Sequence, residues 1–120
     1  MLFAVEVTRG EAEAVLVLHG ELDLCGQPQF VAALAKVEGR FPRVVLDLAE
    51  LTFIDAGNIG VIYRACRAAK EVGGEIVLRS ANPHLFRILE LTGLPTFSSH
   101  EELRPIVLPL PSRAYERLAL

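Results

Sequence analysis

Tryptophan is absent from the 120-residue chain, tyrosine occurs twice, and aromatic residues make up 7%. Its core must therefore be built mainly from aliphatic side chains. The two cysteines, Cys25 and Cys66, are too few for a secreted disulfide scaffold and lack the spacing of a metal site, so reduced thiols are expected. His19, His84 and His100 show no ligand spacing either, and neither a metal nor a cofactor is expected. Neither sign of charge dominates: 12 Lys and Arg against 15 Asp and Glu leave a net charge of -3. No basic field attracts a phosphate backbone, which excludes nucleic acid from the expected partners. No apolar run approaches the roughly 18 residues of a spanning helix, and Glu6 and Arg9 interrupt the stretch where a signal peptide would carry its apolar centre. A cytoplasmic chain without membrane insertion is the expectation.

What is there favours folding. Hydrophobic residues make up 52% and charged residues 22%, too apolar a balance for intrinsic disorder. At this length a single domain burying roughly two-thirds of its unfolded surface is expected.

Residues 2–8 alternate roughly, and after a break at Gly10 the run 14–18 is continuously apolar, which predicts two strands joined by a tight turn. Pro28 suits a first helical turn, and Phe30, Val31, Leu34 and Val37 recur at helical spacing until Gly39. Pro42 precedes the apolar run 43–48, a strand of the kind buried on both faces. Ile59, Ile62, Tyr63, Cys66 and Ala69 form the strongest helical stripe, stopped by Gly73 and Gly74. Residues 75–79 predict another strand, and Asn82-Pro83 opens a helix striped by Leu85, Ile88 and Leu89 that ends at Gly93. The order β-β-α-β-α-β-α predicts an α/β sandwich with one mixed, mostly parallel sheet and an antiparallel edge from the opening hairpin. Beyond Leu94, a short strand within 96–100, a helix over 101–107 interrupted by Pro105, and a helix over 113–120 capped by Ser112 complete the reading.

The segment from Leu51 to Gly60 joins the central strand to the best helix, at the carboxyl end of a strand where open α/β sheets place their sites. Asp55 is placed to cap that helix, and Gly57 and Gly60 allow close approach of a backbone or a phosphate. Asp23, at the end of the second strand, would share the rim with Asp55 if the two strands pair. Leu24, Gln27, Asn58 and Ile59 would then surround the loop as a mixed apolar and polar patch of the sort a protein partner buries. Ile59 thus belongs to two readings, the buried stripe and the exposed patch. Two carboxylates invite an enzymatic reading, but no His or Lys joins that rim and Cys25 alone lies near it, so no catalytic residue is assigned.

Five segments, Gly20-Glu-Leu-Asp23, Val44-Val-Leu-Asp-Leu48, Phe53-Ile-Asp55 through Gly60, Gly73-Gly74 and Leu89-Glu-Leu-Thr-Gly-Leu94, resemble in order the recurring segments of STAS domains, specifically the bacterial anti-sigma factor antagonists. The resemblance spans about residues 2–107 and implies a STAS domain over 1–107 followed by a C-terminal extension, 108–120. It also implies a non-enzymatic binding protein whose partner is an anti-sigma factor of the serine-kinase type, freed sigma factor being the outcome. Asp23, Leu24, Gln27, Asp55, Ala56, Gly57, Asn58, Ile59 and Gly60 become the expected partner-binding residues, with a weak homodimer admitted as an option.

The family's loop usually reads Asp-Ser-Ser/Thr-Gly-Leu-Gly, its first Ser being phosphorylated by the partner kinase. This chain has Ala56 at that place, then Gly57 and Asn58, while Asp55, Ile59 and Gly60 match or nearly match. The frame is kept and the acceptor hydroxyl is missing. Either such a protein works without the usual phospho-switch, or the chain is a non-phosphorylatable variant of one with Ser here. The alternative function is a STAS subunit of a larger assembly, such as a lipid-transport ABC complex or a signalling scaffold. A phospho-receiver is disfavoured because Lys36 and Lys70 sit inside helices, and nucleotide binding because no P-loop is present.

Overall fold

A computed structural model describes residues 2–91 and 96–97. Strand β1 (Ala4–Arg9) pairs antiparallel with β2 (Glu13–Leu22), and β3 (Arg43–Ile54), β4 (Glu75–Arg79) and β5 (Thr96–Phe97) continue in parallel, giving one sheet in the order β1-β2-β3-β4-β5. Helices α1 (Gln27–Ala35), α2 (Ala56–Glu71) and α3 (Pro83–Leu91) fill the connections. The expected α/β sandwich with an antiparallel edge is therefore present.

Alternation decides which face each strand residue serves. Leu16, Leu18 and Leu22 of β2, Leu46 and Leu48 of β3, and Ile76 and Leu78 of β4 join one core cluster with Phe30 and Leu34 of α1, Ile59 and Ile62 of α2, and Leu85 and Leu89 of α3. On the other face, the β3–β4 register sets three rungs side by side. Arg43 faces Glu75, Val45 faces Val77 and Asp47 faces Arg79, with ion pairs of 2.7 Å and 3.1 Å in the outer two. Val44, Val45 and Leu46 are all buried, as the continuous apolar run predicts for a strand covered on both sides.

β2 ends at Leu22, which puts Asp23 directly after it as expected, whereas β3 runs further than the sequence suggests. It continues to Ile54, six residues beyond Leu48, through register shifts against β2 between Val17 and His19 and between Gly20 and Glu21. Gly20 adopts φ +84° at that irregularity, a conformation that costs glycine nothing. Helix α2 begins at Ala56, directly after Asp55 as the expected cap requires, and α1 closes at Lys36, before Val37. The helices expected over 101–107 and 113–120 lie outside the described residues, as does the boundary between 107 and 108.

Candidate functional site

The register pair Leu22–Ile54 ends the two longest strands together, so the residues that follow, Asp23 and Asp55, leave the sheet side by side. A hydrogen bond from the Asp55 N–H to the Leu22 carbonyl, 3.2 Å, ties the exits. Each aspartate then organises a helix start. Asp23 Oδ1 accepts from the N–H groups of Cys25 and Gly26 at 3.0 and 3.1 Å, turning the chain into α1. Gly26 is required in that turn, because an added Cβ would sit 2.9 Å from the Phe3 Cβ.

Asp55 is extended (φ -90°, ψ 169°) and caps α2 by accepting from the Asn58 N–H at 2.9 Å. This arrangement satisfies one of the four orphan N–H groups of a helix start and is worth about 1 kcal/mol. The Asn58 side chain adds three contacts: its Nδ2 lies 2.8 Å from Asp55 Oδ1, 3.1 Å from the Asp23 carbonyl and 3.2 Å from the Leu22 carbonyl. Three acceptors around one nitrogen fix the amide orientation, with one N–H shared between two of them.

Burial sorts the expected residues into two groups. Ala56 and Gly57 are exposed, Leu24 is 75% exposed, and Asp23, Gln27 and Asp55 are half-buried. Asn58, Ile59 and Gly60 are buried, which corrects the expectation that Asn58 and Ile59 form exposed parts of a docking patch. Ile59 belongs to the stripe alone, packed in the core with Ile62 and Tyr63. The reason is rotation about the helix axis: the first turn of α2 points Ala56 and Gly57 outward, so the following residues turn inward. Sequence reasoning missed Phe53, which is 47% exposed beside its register partner Glu21 near the same ends of the strands. Thr52 is exposed as well, and its hydroxyl donates to the Gly20 carbonyl at 3.0 Å.

The rim carboxylates thus hold backbone amides, and no cluster of three or more His, Cys, Asp or Glu suited to a metal occurs among the described residues. Cys25 is exposed and Cys66 buried, both as free thiols; burial pushes the Cys66 thiol up to about 12. No helix among the described residues is long and apolar enough to cross a membrane.

This fold, with an exposed strand-to-helix loop at the shared end of two parallel strands, defines a STAS-type module. The family model described as "Mlab, STAS domain" matches residues 5–107, and the chain belongs to the STAS domain family. An anti-sigma-B factor antagonist of Listeria monocytogenes is 27% identical over 96 residues, covering 78% of this chain and 84% of that protein. Among solved structures, the unphosphorylated anti-sigma factor antagonist SpoIIAA aligns with a TM-score of 0.69 at 22% identity, over 82% of this chain and 91% of the other. The STAS domain of a SulP transporter from Vibrio cholerae aligns with a TM-score of 0.59 at 16% identity, over 78% of each chain. At such identities the two structures establish the fold.

Proposed function

We propose that the chain is an anti-sigma factor antagonist. It docks on a serine-kinase-type anti-sigma factor through the rim formed by Asp23, Leu24, Gln27, Asp55, Ala56 and Gly57, and frees a sigma factor because the two compete for the anti-sigma factor. Asn58, Ile59 and Gly60 support that rim from behind. The observation that carries the reading is the exposed Ala56–Gly57 turn, capped by Asp55 and set beside the exposed Leu24, in a chain whose curated relatives are named anti-sigma factor antagonists. Leu24 supplies the apolar centre that such interfaces bury, and the half-buried polar groups supply its edge.

The missing hydroxyl at Ala56 favours a second reading, in which the same rim holds a permanent partner in a larger assembly, such as a lipid-transport ABC complex or a signalling scaffold. The likeness to a STAS domain of a transporter is consistent with it. Titration of the purified chain into a preformed complex of its cognate anti-sigma and sigma factors separates the two. Release of sigma factor is expected, with Leu24→Asp failing to release it while melting like the parent. A chain that leaves that complex intact but co-purifies stoichiometrically with an ATPase subunit fits the second reading.

A further inference from the structure

Asn58 touches both halves of the rim. Its Nδ2 contacts join the end of β2, through the Leu22 and Asp23 carbonyls, to the start of α2, through Asp55. The backbone link from Asp55 to Leu22 stops one residue short of the Asp23 turn, so the amide is the connection that reaches it. Asn58 is also the one fully buried polar side chain among the described residues, and its Oδ1 is shut away from solvent without a partner. A buried acceptor left unpaired opposes folding. What the side chain contributes therefore lies on its donor side, in the bonds that cross the rim.

We infer that Asn58 is a positioning residue that couples the Asp23 turn to the Asp55 cap, so that Leu24 and the Ala56–Gly57 turn are presented as one preset surface. A preset surface loses less freedom on docking than two loops that must be ordered separately. The use of that surface rests on the proposed docking function, whereas the coupling is a property of the free chain.

Hydrogen exchange on the full chain tests the coupling without a partner. In Asn58→Ala, exchange should quicken about tenfold at Gly26 and Gln27, whose N–H groups bond the Asp23 carbonyl. The N–H groups of Gly74 and Glu75, held by Ala69 and Pro42 at the opposite end of the sheet, should keep parental rates. Uniform acceleration, or no change at Gly26 and Gln27, overturns the inference. If the alanine variant fails to fold, Asn58→Ser, with one donor in place of two, carries the same comparison. A second arm measures affinity for the purified anti-sigma factor, expected to fall about tenfold, mainly through faster dissociation. Equal affinity of parent and variant overturns the positioning role. A parent that does not bind at all removes the docking reading, and the exchange rates still decide the coupling.

Discussion

The Asp55 carboxylate takes both nitrogen donors of Asn58 on a single oxygen, the backbone N–H at 2.9 Å and the side-chain amide at 2.8 Å. The cap of α2 and the internal bracing of the rim are thus one hydrogen-bonded unit.

Asp55→Ala removes the cap and strips the buried Asn58 amide of its charged acceptor. Loss of a cap costs about 1 kcal/mol, and weakening a charge-assisted bond adds a further amount of about 1 kcal/mol or more. A fall in melting temperature of roughly 6–12 °C is expected for a domain of this size. Asp55→Asn, which keeps an acceptor oxygen, should recover most of it. A melting curve unchanged in Asp55→Ala would show that the cap contributes nothing.

Ile59 is a core residue, so substitution there acts through the fold. Ile59→Ala should cost about 2–4 kcal/mol, measured by urea unfolding. Ile59→Arg, which puts a charge where the side chain is 3% exposed, should not yield a folded chain at all. Leu24→Asp, at the exposed rim, should leave the urea midpoint within about 0.5 kcal/mol of the parent. Binding lost by Leu24→Asp but folding lost by Ile59→Arg would separate surface from support.

The buried Cys66 thiol makes stability fall in alkali. Its ordinary value of 9.0 is pushed up to about 12 by burial, so above pH 9 the unfolded chain releases a proton that the folded chain keeps. The contribution is complete below pH 9 and is lost progressively between 9 and 12. At pH 10 the loss is about 1 kcal/mol relative to pH 8, and Cys66→Val should lack that part of the decline. Intact-mass measurement after alkylation at pH 8 should show one label, on the exposed Cys25, because the Cys66 thiolate is scarce and enclosed.

Much of the architecture was legible because strand and helix periods differ: the stripe Ile59, Ile62, Tyr63 and Cys66 identified α2, and the run through Val44 and Val45 identified a doubly covered strand. The far half of β3 was not. It is largely buried up to Leu48, then falls into pairs of exposed residues separated by Leu51 and Ile54, because the extra residues that β3 carries at the two register shifts against β2 change which side chains face inward. Phe53 became exposed through that same slip, which no local pattern announces. Asn58 did carry a signal. It stands four residues before Ile62, on the inward side of the helix, but its polarity argued for the surface, and only the Leu22 and Asp23 carbonyls where β2 ends, together with the Asp55 carboxylate, explain a buried amide there.

On the proposed reading, Ala56 stands at the place where a phosphate would switch the rim. It is exposed in the first turn of α2, where a serine hydroxyl would be accessible, but a methyl group has no oxygen to accept a phosphoryl group. Phosphate at that place would add a charge of about -1.5 to -2. The helix dipole favours such a charge, whereas the adjacent Asp55 and the neighbouring Asp23 oppose it, and docking would have to bury all three. On the proposed docking reading, a chain without the acceptor is expected to stay in its partner-binding form. Incubation with the cognate kinase and ATP should therefore leave the intact mass unchanged, Ala56→Ser should gain one phosphate and lose affinity, and Ala56→Glu should bind more weakly than the parent from the outset. Thr52 offers the nearest exposed hydroxyl on β3, but it is engaged with the Gly20 carbonyl, and using it would break that bond at the register shift between β2 and β3. Stoichiometric phosphorylation of the parent at Thr52, with loss of binding, would show that the switch persists by another route and that Ala56 does not lock the rim.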